Sequence, residues 1–324
     1  MNDLSQSKLK SIDGEDKYDV LSIYLETLEH SSSSQASNRY ILKEFFEVVQ
    51  KESEKVTIHD WDRYAAYLNS RISHKSGKSL TISSKETYHG CIRGFYKFAT
   101  PRFMREGKQF MNPIPDFKYS GLTKTIIRKG KENKLLSRDQ MKKILDAARG
   151  KGYDKYLIFL IKKHTGMRNG EALSIRIEDV HLEERWIGTC LEDGARKSNK
   201  NGEKPLPFFI PKFLADELRL YIMRLQSLNP GNPWLFPGRD DRFYRRDSFL
   251  CVIRRLRSTS GVYFKGHWFR HTLNTYRKYE KQCPREIRKQ LINHKTSESI
   301  DAYDEGNMKM RRDDYDKYHP YSEL

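Results

Sequence analysis

The chain has 324 residues, 37% of them hydrophobic and 12% aromatic, which allows two domains that each bury a core and excludes a disordered protein. It contains no apolar run long enough to span a bilayer and no apolar N-terminal signal core, so we expect a soluble, cytoplasmic protein without a membrane partner. Lys and Arg outnumber Asp and Glu by 61 to 43, and the formal net charge of +18 predicts a polyanionic partner without distinguishing DNA from RNA.

Residues 1–120 predict a compact helical N-terminal domain. The apolar residues of its first amphipathic helix have i, i+3, i+4 spacing and are Val20, Leu21, Tyr24, Leu25 and Leu28. Three more helical segments follow, at 38–52, 57–72 and 84–100. Thr57 and Asp60 are candidate caps of the middle segment, and Pro101 is expected to end the last one.

Residues 121–134 predict a basic interdomain linker. Pro113 and Pro115 extend the chain just before it, and its own glycine and lysine residues are typical of a flexible segment that is attracted to phosphates. An ordinary solvated loop is the alternative interpretation.

Residues 135–324 predict a second domain in which helices surround one small sheet. Its first helix begins with a Ser-x-x-Gln capping box at Ser137. The segments 185–192 and 203–210 are strand-like, and they flank an Asn-Gly pair at 201–202, the strongest short signal for a hairpin. The fold class is therefore mainly α with a small antiparallel β-sheet in the second domain (α+β).

Several separated segments carry residues suited to attack on a phosphodiester. Arg168 closely follows Gly166, a glycine that should end an apolar helix, and Arg270 lies three residues after His267 on one face of a later helix. Because guanidinium groups are planar, permanently charged and bidentate, two arginines could clamp the negative charge of the transition state.

Candidates for the remaining roles lie in two other segments. His294 and Tyr303 are nine residues apart near the C-terminus, and the predicted hairpin offers Lys197 and Lys200. A tyrosine hydroxyl can form a phosphoryl ester, a histidine can share a proton near neutral pH, and a lysine can protonate the leaving alkoxide. The sequence has no carboxylate cluster suited to Mg²⁺ and no CxxC pair, so we expect neither a metal nor another cofactor.

The segments TGMRNGEAL, HWFRHT and LINHKTSESIDAY, in this order, closely resemble the three catalytic motifs of the tyrosine recombinase (phage integrase) family. The segment around Phe95, Tyr96 and Phe98 and the pair Asn112-Pro113 loosely resemble the family's core-binding domain, so the resemblance covers nearly the whole chain. It implies a two-domain DNA clamp, in which a helical, SAM-like core-binding domain precedes the catalytic domain.

The resemblance also implies a role for each matching residue. Arg168 matches the first catalytic arginine, and Glu171 matches the acidic residue that supports the site. His267 and Arg270 match the His-x-x-Arg pair, and His294 matches the second histidine.

Tyr303 matches the family's nucleophile, and two departures lie near its partners. Asn293 stands where the family has a glycine, although asparagine also tolerates the left-handed backbone of such a turn. The hairpin is less regular than the family pattern; its alignment favours Lys197 as general acid and leaves Lys200 as the alternative.

The reaction implied by the resemblance is DNA cleavage and rejoining through a 3′-phosphotyrosyl intermediate, without metal or ATP. The implied partner is double-stranded DNA, with a homo-tetramer on two recombining sites and a monomer or weak oligomer when free. A type IB topoisomerase-like activity and a catalytically inactive DNA-binding accessory protein are the alternatives. Residues 306–324 could pack on a neighbouring protomer or form a mobile tail.

Overall fold

A computed structural model of the chain describes residues 20–27, 32–73, 77–116, 134–188, 207–239, 242–293 and 305–321. The chain divides into two compact units, Met1–Gly130 and Lys131–Leu324. Of the linker predicted at 121–134, only Lys134 is described, so its flexibility stays a prediction. None of the helices in the described ranges is long and apolar enough to cross a membrane.

The first unit packs its described helices around an aromatic core. These helices are α1 (Val20–Thr27), α2 (Ser32–Val49), α3 (Ile58–Ser70) and α4 (Ile82–Arg105). Phe45 of α2 is fully buried, and its ring centroid lies 4.9 Å from that of Tyr64 in α3 and 6.3 Å from that of Tyr96 in α4. Both pairs meet edge to face, the geometry that adds electrostatic attraction to the burial of apolar area. The predicted helical unit is confirmed.

The N-terminus of α3 is capped as the sequence predicts. The backbone N–H and the hydroxyl of Thr57 both donate to Oδ2 of Asp60, at 2.9 and 2.8 Å. Lys51 Nζ donates to the same oxygen at 2.8 Å. Burial raises the pKa of Asp60, but the hydrogen bonds from Lys51 and Thr57 outweigh it and lower that pKa to about 2.

Helix α4 is longer than the sequence predicts. The expectation that Pro101 ends it is wrong, since the helix continues to Arg105. Phe103 in this last turn is fully buried, and its ring meets that of Phe110 edge to face at 4.9 Å. Packing of the last turn on the core therefore offsets the hydrogen bond that proline cannot donate.

The second unit is mainly helical in its described part. Its helices are α5 (Arg138–Arg149), α6 (Tyr153–Thr165), α7 (Asn169–Leu173), α8 (Lys212–Leu228), α9 (Arg246–Ser260), α10 (Trp268–Tyr279), α11 (Arg285–Leu291) and α12 (Glu305–Tyr318). The predicted capping box at Ser137 is confirmed, because Ser137 Oγ accepts from the Gln140 N–H at 3.1 Å and Gln140 Oε1 accepts from the Ser137 N–H at 3.0 Å. Phe159 of α6 is fully buried, and α6 and α10 pack together through its ring and that of Phe269.

A three-stranded antiparallel sheet completes the second unit. Its strands are β1 (Val180–His181), β2 (Trp186–Ile187) and β3 (Phe208–Phe209), in the order β1-β2-β3. Ile187 pairs with Val180 on one side and with Phe208 on the other. The pairing of β2 with β3 confirms the two predicted strands and the fold class, whereas β1 was not predicted from the sequence. The predicted Asn-Gly turn lies outside the described residues.

Helix α12 packs on the sheet of its own unit. The guanidinium of Arg312 donates to the backbone carbonyls of Glu184 and Arg185 at 3.2 and 2.9 Å, and to that of Ile210 at 3.4 Å. Tyr315, one turn further along, is buried. The sequence left open whether this segment packs on a neighbouring protomer or forms a mobile tail; its described residues pack on their own chain.

Candidate active site

The turn between α6 and α7 presents Arg168. Gly166 ends α6, as the sequence predicts, with a φ of +70° in the left-handed region that favours glycine. A Cβ atom at this position would lie 3.2 Å from Cδ2 of Leu273 and 3.6 Å from Cα of Arg270, both in α10. Glycine here therefore serves the turn and also lets α10 approach it, which brings the two predicted catalytic arginines together.

Glu171 fixes the position of Arg168. The Arg168 backbone N–H donates to Glu171 Oε2 at 2.7 Å, and a guanidinium nitrogen of Arg168 donates to Oε1 at 2.6 Å. The Glu171 side chain is 1% exposed, whereas that of Arg168 is 45% exposed. A buried carboxylate thus holds one edge of a guanidinium group that remains accessible to an anion.

Arg270 extends from α10 toward the same turn. One of its guanidinium nitrogens donates to the Gly166 carbonyl at 3.1 Å. The other terminal nitrogen is buried and has no hydrogen-bond partner among the described residues. Burial, followed by repulsion from Arg168, lowers the pKa of Arg270 to about 10, although Glu171 opposes that shift. A desolvated cation with an unused donor beside a second cation is suited to binding an anion.

His267 lies at the start of α10, three residues before Arg270, and is exposed. Burial of part of the ring, then the charges of Lys134 and Lys265, lower the pKa of His267 below its ordinary value of 6.5. Its imidazole is therefore neutral at pH 7 and able to accept a proton.

A Cβ atom at the preceding Gly266 would overlap the side-chain amide of Asn169 in α7. This glycine keeps the starts of α7 and α10 in contact, and the sequence pattern did not reveal that role.

Lys162 of α6 is a further charged group at this site that the sequence did not single out. Its side chain is fully buried, and Nζ donates to the Met167 carbonyl at 2.8 Å, directly before Arg168. A possible signal was the run of three basic residues that ends an otherwise apolar helix just before Thr165.

Four of the predicted site residues lie outside the described part of the chain: Lys197, Lys200, His294 and Tyr303. Whether they join the arginines therefore stays a prediction. The backbone just before His294 is described, and Asn293 has a φ of +51°, the left-handed conformation expected at this position. Arg311 of α12 donates to Oδ1 of Asn293 at 3.5 Å, so α12 contacts the residue that directly precedes the 294–304 segment.

The described side chains do not include a group of three or more His, Cys, Asp or Glu residues placed to hold a metal ion. What they do provide is a cluster of three cations, Lys162, Arg168 and Arg270, around the single carboxylate of Glu171. The excess positive charge, carried by two guanidinium groups with donors to spare, matches a phosphate group carrying extra negative charge.

Known proteins are similar to this chain in sequence and in fold. The chain is 28% identical over 235 residues to tyrosine recombinase XerA of Saccharolobus solfataricus, which covers 72% of this chain and 69% of that protein. In fold it is similar to the Tn1549 transposon integrase in complex with circular intermediate DNA, with a TM-score of 0.61, 13% identity and coverage of 90% of this chain and 97% of the other. It is also similar to a lambda integrase tetramer bound to a Holliday junction, with a TM-score of 0.57, 15% identity and coverage of 91% and 77%.

The model of the phage integrase family matches residues 134–310. This range includes Arg168 and Arg270 and extends past Tyr303. This match spans more than half of the 324 residues and all but the last helical turns of the second unit. The chain therefore belongs to the phage integrase family and is an enzyme of the tyrosine recombinase class.

Proposed function

We propose that this protein is a site-specific recombinase or integrase that cuts double-stranded DNA and exchanges strands between two sites. The hydroxyl oxygen of Tyr303 attacks the scissile phosphorus and the bond from phosphorus to the 5′ oxygen breaks, which gives a 3′-phosphotyrosyl ester and a free 5′-hydroxyl. The 5′-hydroxyl of a partner duplex then attacks the ester and releases the tyrosine. Because the ester conserves the energy of the broken bond, the exchange requires neither ATP nor a metal ion.

The observation that carries this proposal is the arginine pair. Arg168 is held by the buried carboxylate of Glu171, and Arg270 has a buried guanidinium nitrogen without a partner among the described residues. In the proposed reaction both guanidinium groups bind the non-bridging oxygens of the phosphate, where negative charge increases in the transition state. Fixed donors in a desolvated site need little reorganisation when that charge develops.

Proton transfer is assigned to the remaining candidates. Neutral His267 supports the phosphate or accepts a proton, and His294 assists from the segment that carries Tyr303. Lys197, with Lys200 as the alternative, protonates the leaving 5′ oxygen. These assignments rest on motif position, since only His267 lies within the described residues.

The proposed substrate is double-stranded DNA held by both units. The net charge of +18 favours a polyanion, and both fold relatives named above are described as bound to DNA. We assign residues 1–120 to core binding, 121–134 to a basic linker and 135–324 to catalysis, with four protomers on two sites. The expected site is a pair of inverted half-sites around a short spacer, bound with an affinity that falls steeply as salt is added.

A nicked suicide substrate tests the reaction, once site selection has identified a bound sequence. Loss of the short fragment next to the nick traps the covalent adduct, which survives denaturation and can be counted on a gel. Wild type should form the adduct and Tyr303→Phe should not. Tyr279→Phe is the matched control, because Tyr279 is an exposed tyrosine at the end of α10 and its variant should form the adduct normally.

The same assay separates the alternatives. An inactive DNA-binding protein would bind the site and form no adduct in wild type. A type IB topoisomerase-like enzyme would form an adduct and relax supercoiled plasmid, yet would produce no recombinant product from two sites. Adduct formation by Tyr303→Phe would show that the nucleophile is wrongly assigned.

A further inference from the structure

The last turn of α6 buries three basic residues in succession: Lys162, Lys163 and His164. Burial of a cation is expensive unless it is paired, so each of them calls for an explanation. Lys163 and His164 face the end of the chain, since Lys163 Nζ lies 4.8 Å from the ring centroid of Tyr321 and His164 Nδ1 lies 2.8 Å from His319 Nε2. Lys162 faces the opposite way, toward the turn that carries Arg168.

Every peptide group of that turn is held by a hydrogen bond. The Gly166 carbonyl accepts from Arg270 at 3.1 Å, and the Met167 carbonyl accepts from Lys162 at 2.8 Å. The Met167 N–H donates to Thr165 Oγ1 at 3.1 Å, and the Arg168 N–H donates to Glu171 at 2.7 Å. Two consecutive carbonyls are thus bound by two cations from different helices, and Lys162 is the one that holds the peptide leading directly into Arg168.

We infer that Lys162 is a positioning residue for catalysis, which orients Arg168 by binding the Met167 carbonyl and adds positive charge beneath the two arginines. This inference rests on the proposed function, since it gives Lys162 a part in phosphate chemistry. Lys162 does not contact the substrate. It acts through the position of Arg168 and through its own positive charge beside Glu171 and Arg270.

The charge of Lys162 responds to its neighbours. Burial lowers its pKa, Glu171 of α7 opposes that change and Arg270 of α10 adds to it, which leaves the pKa at about 7. The charge of Lys162 in turn contributes to the lowered pKa of His267 at the start of α10. Lys162 therefore gains or loses its charge near neutral pH, while either form can donate a hydrogen bond to Met167.

A purely structural role predicts a different outcome from a positioning role. Replacing a buried cation by an apolar side chain of similar length is often neutral or stabilising, so Lys162→Met should fold at least as well as wild type. If Lys162 only filled space, its loss would leave cleavage unchanged. If it orients Arg168, cleavage slows although the fold is intact, since small misplacements of a catalytic group reduce rates strongly.

The experiment measures adduct formation on the nicked substrate by wild type, Lys162→Met and Lys163→Met across pH 6 to 9. Lys163→Met is the matched control because it removes a buried lysine from the same helical turn that does not contact the Arg168 turn. We expect Lys162→Met to slow cleavage on the order of tenfold to a hundredfold with unchanged DNA affinity, and Lys163→Met to cleave like wild type. The deficit of Lys162→Met should be largest below about pH 7, where wild-type Lys162 is charged, and should shrink to a smaller constant value above it.

Amide hydrogen exchange of residues 166–168 gives a second measurement that needs no DNA. Exchange there should increase in Lys162→Met and not in Lys163→Met. Cleavage by Lys162→Met at the wild-type rate at every pH, or an equal loss in both variants, would overturn the inference. If wild type forms no adduct, both the proposed function and this inference are wrong. If wild type cleaves normally and Lys162→Met cleaves equally well, only this inference is wrong.

Discussion

The two units bury charge in different ways. In the described part of the first unit the buried charged side chains are acidic and paired: Glu44 binds Arg71 at 2.7 Å, and Asp60 binds Lys51 at 2.8 Å. In the described part of the second unit most buried charged side chains are basic, and Arg277 has no hydrogen-bond partner for any of its three guanidinium nitrogens. Pairing offsets much of the cost of burying the two carboxylates of the first unit. Excess buried cation costs stability, and it is expected where a protein must receive an anion.

The largest expected effect concerns the buried acid of the second unit. Glu171→Gln should reduce adduct formation about a hundredfold, because the neutral amide has one acceptor oxygen for the two Arg168 donors and no longer offsets the charges of Arg270 and Lys162. The nicked-substrate assay measures this loss. Glu44→Gln is the control, since it weakens a buried ion pair in the first unit and should leave the cleavage rate of the folded protein unchanged. Equal effects of the two variants would erase the contrast between the units.

The next effect should have opposite signs in the two units. Arg277→Leu should stabilise the second unit by about 1–4 kcal/mol, because it removes a desolvated cation that has no hydrogen-bond partner or carboxylate among the described residues. Arg71→Leu should destabilise the first unit by about 3 kcal/mol, because it leaves the carboxylate of Glu44 buried without its cationic partner. Urea unfolding monitored for each unit measures both values. Destabilisation by Arg277→Leu would show that the buried guanidinium contributes a stabilising interaction.

The pH dependence of stability should also differ. Burial, then neighbouring charges, lower the pKa values of His164 and His319 well below 6.5 in the folded unit. Below pH 6.5 the unfolded chain therefore binds more protons than the folded one, and the second unit should lose stability by up to about 1.4 kcal/mol per pH unit for each histidine.

The first unit should respond only at lower pH. The pKa of Asp60 is lowered to about 2 from an ordinary 3.8, so its contribution is present above pH 3.8 and is lost as pH falls toward 2. Thermal unfolding between pH 8 and 5 should therefore separate the two transitions. His164→Leu is expected to flatten the slope of the second unit, and an unchanged slope would contradict the assignment to this pair.

The smallest expected effects are those of removing one helix cap in each unit, and they should be similar in size. Thr57→Ala removes a hydroxyl that donates to Asp60 at 2.8 Å, and Ser137→Ala removes the acceptor of the Gln140 N–H at 3.1 Å. Each substitution should destabilise its own unit by about 1 kcal/mol, as is usual for helix caps. Denaturant midpoints of the two variants measure this, and a difference above about 1 kcal/mol between them would show that the surroundings of the caps matter more than the caps.

Local patterns predicted much of the molecule. The caps at Thr57 and Ser137, the glycine that ends α6 and the strands on either side of the hairpin are each determined by a few neighbouring residues, and the structure has all of them. The extent of α4 was misjudged because the buried ring of Phe103, a tertiary contact, outweighs the local effect of Pro101.

The charge at the site could not be predicted in the same way. Helical periodicity assigns lysine and arginine to the solvent face, so it does not predict that Lys162 and Arg277 are fully buried. The acidic support of Arg168 by Glu171 was found through the motif, but the binding of two consecutive carbonyls by Lys162 and Arg270 depends on three elements meeting. The nucleophile itself rests on its spacing from His294, which the described residues do not test.

The attachment of α12 sets a limit on where Tyr303 can travel. Arg312 binds three carbonyls that flank the strands of its own unit, and Tyr303 lies only two positions before Glu305, where the helix starts. Two residues of extended chain reach at most about 7 Å. The Cα atom of Tyr303 must therefore stay within this distance of Glu305, which is held to its own unit as long as α12 remains packed. Cleavage of a phosphate bound by another protomer would therefore require that site to approach Glu305 of this chain, or α12 to detach from its own unit.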